Sequence, residues 1–540
     1  MKRTLHRLSK WSLVVGGWAF LSACGGGNSQ PTSPNRMVNQ PDNGYVAGVY
    51  QDREELRHLC EAPRSGSDPT TGEVFPDQPG SSTDEKLWLR SWSHDTYLWY
   101  DELDDIDPAG YGVIEYFELL RTDALTPSGV PKDNFHFTQD TEEYNRQTQG
   151  GVSYSYGIEW KFGKLTSPGR ELHIAYIESG SPAAQTELMR GARVLEIDGI
   201  DFVDDNTQAG VDAINAAIFP DSIGESHTFL FRLRDGSEQE VTLTATEVAT
   251  QAVNQAKVLD TQAGKLGYLQ FNTHIVAAQD QLIEAMEQFD TANVTDLVVD
   301  LRYNGGGLLA IASQLGYMVA GADMIQGQVF EQIMFNDKYP NTNPITGNTL
   351  QPTPFYDSVI DYDQSQLTDT PLPSLNLSRV FVLTTDSTCS ASEAFINGLR
   401  GIGVEVVQIG DKTCGKPYGF YPTDNCGTTY FTIQFKGVNA QGFGEYADGF
   451  TPNPSPSLQT QIKGCPLGDD LSQDLGHTSE ALLSGAITYL ETGACPEPEP
   501  SVASMTEKAG ALEEGLAIRA RDPRRQAVIQ ENRLNQPISR

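Results

Sequence analysis

The segment from residue 255 to about 490 alternates short apolar strands with amphipathic helices, and this order constrains the fold more than any other feature. A strand of buried character at 296–301 runs into a glycine-rich turn, and a helix follows over 308–319. Further strands and helices follow in the same order, up to a strand at 404–409. Such alternation predicts an α/β core, with helices packed on a sheet.

The remaining residues suggest additional units, because 540 residues are too many for one core and predict two to four domains. Residues 25–84, rich in Gly, Pro, Ser, Asn and Asp, are predicted to form a flexible tether. Aromatic side chains near helical spacing over 85–145 predict a small N-terminal helical unit with those rings in its core. A polar insert at 322–377 interrupts the core. The Arg-rich tail 497–540 is predicted to be disordered, with a loose electrostatic contact to the acidic body as the alternative.

The formal net charge is −35 at neutral pH. A surface this acidic repels phosphate backbones, so a nucleic-acid partner is not expected. The simplest interpretation of the charge is solubility.

The first 24 residues have the layout of an export signal. Basic residues precede an apolar run from Trp11 to Leu21, which is too short to span a bilayer, and small residues then lead to Cys24. This end resembles the bacterial lipobox, in which the cysteine is lipidated, and an ordinary signal peptide with a chance cysteine is the alternative. Gly25 in place of Asp, by similarity to lipoprotein sorting in Gram-negative bacteria, implies an anchor in the outer membrane that faces the periplasm.

Six further cysteines fit disulfides in an exported chain. The sequence leaves their pairing open, although Cys414 and Cys426 form a candidate pair because a short loop separates them. The sequence shows no Cys-x-x-Cys ligand sets and no His-x-x-x-His spacing, so neither a metal nor another cofactor is expected. The six are Cys60, Cys389, Cys414, Cys426, Cys465 and Cys495.

Residues 150–250 are predicted to be mostly β, with a helix that starts at 181–184 and ends at Gly191. The phrase Ser-Gly-Ser-Pro-Ala-Ala, followed by Val-Leu-Glu-Ile-Asp-Gly, resembles PDZ domains of bacterial proteases. The resemblance implies a carboxylate-binding loop at Tyr156, Gly157 and Ile158, and capture of an extended protein or peptide C-terminus along a strand edge. A generic β-domain is the alternative.

Two strand-to-helix turns carry residues that could take part in a chemical reaction. The turn from Asp300 to Gly307 can present backbone N–H groups to negative charge. It lacks the Lys-Ser/Thr ending of a phosphate loop, and its N–H groups would suit an oxyanion hole. The turn around Ser390 places a hydroxyl at a helix start. Taken alone, Ser390 with Glu393 is typical of a helix cap.

A third element changes this interpretation, because Lys416 follows the strand 404–409 in a Gly-Lys step. In this order, and after a PDZ-like segment, the motifs resemble the C-terminal processing peptidases, or tail-specific proteases, in their bacterial lipoprotein branch, over residues 85–465. The resemblance implies a ClpP/crotonase-like α/β catalytic core with an inserted or preceding PDZ-like domain. It makes Ser390 the nucleophile and Lys416 the general base. The N–H of Ala391, and one from Gly306 or Gly307, would bind the oxyanion.

A lysine with a pKa of about 10.4 is a poor base, but burial can lower that pKa by several units. Lys416 can then take the proton of Ser390 and return it to the leaving amine. The family often has a Gln four residues after the lysine, where this chain has Phe420, so a Ser-Lys dyad is expected and its third partner stays open. Cys389 is a disfavoured nucleophile, because no histidine lies in either motif and an exported cysteine is usually oxidised.

These residues predict a serine endopeptidase of the cell envelope that cleaves exported proteins near their C-termini. Phe420 motivates an alternative, a catalytically inactive, PDZ-based peptide-binding lipoprotein on a protease fold. A hydrolase of small esters or amides on the same scaffold is a third possibility.

Overall fold

A computed structural model of the protein describes residues 44–69, 72–149, 152–362, 364–497 and 516–518. The predicted signal peptide with Cys24 and the first part of the predicted tether lie outside the described residues, as does most of the predicted tail. Within the described ranges, no helix combines the length and the apolar character that a membrane crossing requires.

The described residues form nine α-helices, two single 3-10 turns and twenty-five strands. The helices are α1 Arg53–Leu56, α2 Ser82–Thr96, α3 Val113–Glu118, α4 Thr141–Gln149, α5 Gln208–Ile218, α6 Ala278–Ala292, α7 Leu309–Ile325, α8 Ala391–Gly401 and α9 Ala481–Thr492, with 3-10 turns at Tyr100–Glu102 and Ala183–Gln185. The strands are β1 Leu59–Cys60, β2 Gln78–Pro79, β3 Phe137–Asp140, β4 Val152–Ser155, β5 Ile158–Phe162, β6 Leu172–Ile177, β7 Arg193–Ile197, β8 Ile200–Asp201, β9 Ser226–Arg232, β10 Glu238–Thr244, β11 Thr246–Ala249, β12 Val253–Thr261, β13 Gly264–Phe271, β14 Asp296–Asp300, β15 Gln332–Met334, β16 Ser358–Asp361, β17 Gln366–Pro371, β18 Arg379–Thr384, β19 Glu405–Gly410, β20 Tyr418–Gly419, β21 Thr423–Asn425, β22 Thr428–Phe431, β23 Phe435–Val438, β24 Thr451–Asn453 and β25 Gln461–Pro466.

A seven-stranded sheet forms the centre of the molecule, in the order β12-β13-β14-β18-β19-β25-β24. Each neighbouring pair is parallel except β12 with β13. All five residues of β14 are buried, as expected for a parallel strand that is covered on both faces. Helices α6, α7 and α8 pack on one face and α9 on the other. This is the α/β core that the alternation of strands and helices predicts.

The order of the strands brings the three predicted motifs to one edge. Strands β14, β18 and β19 are adjacent and parallel, so their carboxyl ends lie side by side. The glycine-rich turn follows β14, the Ser390 turn follows β18, and the loop to Lys416 follows β19. Loops at the carboxyl edge of such a sheet are where α/β proteins place their ligand sites.

Residues 152–249 contain a six-stranded antiparallel sheet in the order β10-β9-β7-β6-β5, with β8 paired to β7. Helix α5 packs on this sheet through Val211 and Ile214. The helix expected between Ser181 and Gly191 is wrong. A single 3-10 turn stands there, because Thr186 is extended and its hydroxyl donates to the Ala183 carbonyl at 2.6 Å.

The N-terminal helical unit has the aromatic core that its spacing predicts. Trp88 and Trp92 of α2 are almost fully buried, and their rings stack with centroids 5.2 Å apart. Tyr430 of β22 packs against both rings. Since β3 also pairs with β22, this unit is part of the main body.

The prediction of a flexible tether is wrong for residues 44–69 and 72–84, the part of it that the structure describes. Strands β1 and β2 pair there, and Cys60 forms a disulfide with Cys426. Arg64 donates to Asp77 and to Asp424, both at 2.9 Å. The segment is therefore fastened to the body by a covalent bond and by ion pairs.

The cysteines are all oxidised in the described residues, as an exported chain predicts, but the expected pair of Cys414 with Cys426 is wrong. Cys426 lies 5.4 Å from Cys60 between Cα atoms, and Cys414 lies 5.2 Å from Cys389. Both separations are within the range that a disulfide needs. The third pair is Cys465 with Cys495.

The polar insert joins the core to the N-terminal unit. Strand β15 pairs with β23 of the core. Asn336 donates to the Tyr97 carbonyl at 3.0 Å, and the Tyr339 hydroxyl donates to Asp95 at 2.7 Å. The insert therefore connects strand β23 with the residues at the C-terminal end of α2.

A buried ion cluster holds the glycine-rich turn after β14. The Arg302 guanidinium, 1% exposed, donates twice to Asp300 and twice to Glu480, at 2.6–2.9 Å. It also donates to Asp469 at 2.9 Å. Burial would raise the pKa of the Asp469 carboxyl, but Arg302 and Arg190 hold it well below its usual range. Asp300 and Arg302 thus brace the turn.

Replacement of Arg302 by Gln should leave the Asp300 and Glu480 carboxylates buried without their cation. We expect a loss of about 3–5 kcal/mol in the free energy of unfolding, measured by urea titration. Arg232→Gln is the matched control, because its ion pair with Glu238 is half exposed on both sides and should contribute less than about 1 kcal/mol. Equal losses in the two variants would contradict this account of the cluster.

Candidate active site

Ser390 lies in a strained turn between β18 and α8. Its φ of 61° and ψ of −116° are unfavourable for a residue with a side chain, at a cost of about 1–3 kcal/mol. Its side chain is fully buried. A sharp strand-to-helix turn of this kind is how nucleophile elbows present a hydroxyl. Ala391 is the first residue of α8, where a backbone N–H has no carbonyl partner within the helix.

The glycine-rich turn packs directly on the Ser390 turn. A Cβ on Gly306 would lie 2.7 Å from the Ser390 Cβ, so a side chain there would displace the serine. The Asn304 carbonyl accepts from the Cys389 N–H and from the Ser392 hydroxyl, both at 3.1 Å. The two turns that follow β14 and β18 therefore form one unit.

The Asn304 side chain fixes the shape of the glycine-rich turn. Its Oδ1 accepts from the Gly306 N–H at 2.9 Å and from His274 Nδ1 at 3.0 Å. Burial lowers the pKa of His274 to about 4, so the imidazole is neutral and its proton is on Nδ1. The Gly306 N–H, an expected oxyanion donor, is thus taken by Asn304. Gly307 packs on the main chain of His274, and its N–H stays a predicted donor.

Lys416 is fully buried beside an aromatic cluster. Its Nζ lies 4.2 Å from the centre of the Phe420 ring and 4.7 Å from the centre of the Phe135 ring. Phe420 packs in turn on Phe137 and Phe431. The position where the resemblance implies a Gln therefore presents an aromatic face to the lysine amine.

The Glu393 carboxylate connects the serine turn with the lysine loop, a role that the sequence analysis missed. Its Oε2 accepts from the Ser390 N–H at 3.0 Å and from the Lys416 N–H at 2.7 Å. Its Oε1 accepts from the Gly415 N–H at 2.9 Å and from the Thr413 hydroxyl at 2.5 Å. Burial raises the pKa of this carboxyl, and the four donors oppose that shift. In the sequence, Glu393 gives only the signal of a helix cap, which hides its second set of partners.

A disulfide joins the same two segments. Cys389 directly precedes Ser390, Cys414 lies two residues before Lys416, and the two are bonded. With Glu393 they form the one His/Cys/Asp/Glu group in the described residues that is compact enough to hold a metal ion. Since both sulfur atoms are in the disulfide, neither is available as a thiolate ligand or as a nucleophile.

A cleft of about 560 Å³ lies between the β-rich domain and the loops that follow β14 and β18, which contribute Gly305 and Ser387 to its lining. One wall is the edge strand β5 with Tyr156 and Ile158, and the other is the end of α5 with Phe219. The Tyr156 hydroxyl donates to the Ala217 carbonyl at 3.0 Å, which ties the loop before β5 to α5. Gly157 lines a smaller adjoining cavity with Gly305 and Gly306. The three predicted loop residues therefore lie next to the glycine-rich turn.

Comparison with known proteins gives three similarities of different extent. Residues 265–423 match the model of peptidase family S41. A carboxyl-terminal-processing protease of Picosynechococcus sp. (strain ATCC 27264 / PCC 7002 / PR-6) is 26% identical over 251 residues, which are 44% of this chain and 49% of that protein. The chain thus spans about half the length of this curated relative. A Bacteroides fragilis NCTC 9343 crystal structure, assigned to the S41 proteases, has a TM-score of 0.55 at 22% identity, over 78% of this chain and 99% of its own, and shows the same fold.

Glu393→Gln should move the Ser390 turn away from the Lys416 loop. Each carboxylate oxygen of Glu393 accepts from two donors, and the amide NH₂ that replaces one oxygen cannot accept. We expect the rate at which a fluorophosphonate probe labels Ser390 to fall about 10²-fold, the effect of a misplacement near 1 Å. Glu115→Gln is the matched control, since Glu115 caps an exposed helix start through the Gly112 N–H at 3.2 Å. An unchanged labelling rate in Glu393→Gln would refute the connecting role.

Proposed function

We propose, from the match of residues 265–423 to peptidase family S41, that the chain is a serine endopeptidase of this family that cleaves proteins near their carboxyl termini through Ser390 and Lys416. The observation that carries the proposal is the Glu393 carboxylate, which holds the backbones of both residues on a single oxygen atom. Two fully buried polar side chains are thereby held close together in sequence-distant loops, and the loop before Ser390 lines a cleft of about 560 Å³ through Asp386 and Ser387.

In the proposed reaction, the Lys416 amine takes the Ser390 hydroxyl proton while the oxygen attacks the peptide carbonyl carbon. This step needs the neutral amine, which the full burial of the Lys416 side chain favours, whereas the Phe420 ring face at 4.2 Å attracts the ammonium. The carbonyl oxygen becomes an oxyanion, and the Ala391 N–H at the start of α8 donates to it. The Lys416 ammonium then gives its proton to the leaving nitrogen as the C–N bond breaks.

Deacylation reverses the proton path. Lys416, neutral again, takes a proton from water, whose oxygen attacks the acyl ester carbon. The ester C–O bond breaks, and the Ser390 oxygen regains its proton from the lysine.

The substrate class follows from the β-rich domain and its cleft. We propose that residues 150–250 form a PDZ domain on a ClpP/crotonase-like core, and that the free edge of β5 pairs with an extended substrate tail. The loop Tyr156-Gly157-Ile158 would bind the terminal carboxylate. This arrangement supports capture of a tail in the cleft beside the Ser390 turn.

For the location, we propose an exported protein that a lipid on Cys24 anchors to the cell envelope, at the outer membrane and facing the periplasm. The order of residues 1–24 supports the signal and the lipidation. Three disulfides in the body support an oxidising compartment. Labelled palmitate that is incorporated into the wild-type chain but not into Cys24→Ser would support the anchor, and equal incorporation would exclude it.

Ser390→Ala and Lys416→Ala should each abolish cleavage of a peptide panel while the thermal unfolding midpoint changes little. Lys412→Ala is the matched control, because this lysine lies on the same loop but is exposed, and it should cleave at the wild-type rate. Mass spectrometry should locate a serine-directed probe on Ser390. Tail-peptide binding without turnover or adduct in the wild-type chain would instead support the inactive, peptide-binding alternative.

A further inference from the structure

A short piece of the predicted tail lies on the β-rich domain, which corrects the expectation of disorder for these residues. Ala517 forms an antiparallel bridge with Thr166, and the Ile518 N–H donates to the Leu165 carbonyl at 3.3 Å. The Leu516 N–H donates to Asn206 at 3.1 Å, and Arg170 donates to the Leu516 carbonyl at 3.0 Å. Main-chain pairing on one side and polar contacts on the other fix residues 516–518 in place.

Side-chain burial makes this contact an anchor. Ile518 is only 3% exposed and belongs to the hydrophobic core of the β-rich domain. The Arg170 side chain, which holds the Leu516 carbonyl, is itself fully buried. The side chain of Ile518 is therefore part of the hydrophobic core of the β-rich domain.

The direction of the bridge sets the direction that a continued pairing would take. Thr166 and Leu165 follow β5, and residues 516–518 run antiparallel to them, so the same pairing, if continued, would lead from Ile518 along the edge of β5 towards Ile158. Leu165 itself lines the cleft. Edge strands with open backbone groups readily accept one more strand.

The register that the bridge sets also matches charges. In a continued pairing, each step forward along the tail is one step back along β5, so five steps from Ala517 and Thr166 would bring Asp522 opposite Lys161. Two further steps would bring Arg524 opposite Glu159. Opposite charges at facing positions stabilise a strand pair. Residues 519–540 carry six arginines and two acidic residues, and the cleft carries an excess of carboxylates, at Glu143, Glu159, Asp221 and Asp386 against Arg146 and Lys161.

We propose that residues 519–525 of the chain add a strand to the edge of β5 and fill the cleft, so that the tail is an intramolecular ligand of the peptide groove. The anchor at 516–518 holds this ligand at high effective concentration, and an incoming protein tail has to displace it. The groove's role in substrate capture rests on the proposed function, whereas occupancy by the tail does not.

The test measures binding in the Ser390→Ala background, so that it is independent of catalysis. A fluorescein-labelled peptide of residues 511–540 is titrated against the full chain and against a chain that ends at Gly510. We expect the shortened chain to bind the peptide at least 10-fold more tightly, because its groove is vacant. Equal affinities for the two chains, or binding to neither, would overturn the proposal.

A matched peptide tests the register. Exchange of the two charges, Asp522→Arg with Arg524→Asp, keeps the composition and the net charge but sets like charges opposite Lys161 and Glu159. We expect this peptide to bind at least 5-fold more weakly than the natural one to the shortened chain. Equal binding of both peptides would show a non-specific charge attraction and would refute the added strand.

Hydrogen exchange gives a second measurement, which does not require the chain that ends at Gly510 to fold. The amides of residues 158–162 should exchange more slowly in the full chain than in a chain that ends at Ile518, which keeps the anchor and lacks the ligand. Identical exchange at these amides would contradict occupancy of the groove. Loss of peptidase activity in both chains would bear on the proposed function alone.

Discussion

The organisation of the site depends on one buried carboxylate. Glu393 accepts four hydrogen bonds, and two of them come from the backbones of Ser390 and Lys416 on the same oxygen atom. The loops that follow β18 and β19 leave neighbouring strands, and the shared acceptor holds their backbones together in addition to the disulfide between Cys389 and Cys414. A buried carboxylate needs every one of these donors, so the loops and the acid stabilise one another.

A second charged centre acts from the other side of the glycine-rich turn. Arg302 holds the start of this turn through Asp300, and Asp469 links it to Arg190 of the β-rich domain. The Tyr303 hydroxyl also donates to Asp469, at 2.6 Å. The turn that packs on Ser390 is thus held by contacts with both the core and the domain that carries the cleft.

Local patterns predicted the core better than they predicted its connections. The apolar runs at 296–301 and 404–409 and the helix expected over 308–319 rest on local signals, and the structure has strands β14 and β19 and helix α7 at these places. The partner of Cys426 is 366 residues away in sequence, and no local pattern encodes such a contact. The same applies to Ile518, whose burial depends on a domain far back in the chain. The ordered motifs predicted Ser390 and Lys416, but Glu393 looked like a helix cap because its helical role is real as well.

Because of the disulfide between Cys389 and Cys414, the geometry of the site depends on the redox state of the compartment that holds the chain. A disulfide persists only where thiols are oxidised. In a reducing compartment the serine turn and the lysine loop would be held together by hydrogen bonds alone, such as that from the Cys414 N–H to the Thr388 carbonyl at 3.0 Å. Oxidation therefore completes the assembly of the pair, and a chain exported as proposed would reach its final geometry only in the oxidising compartment.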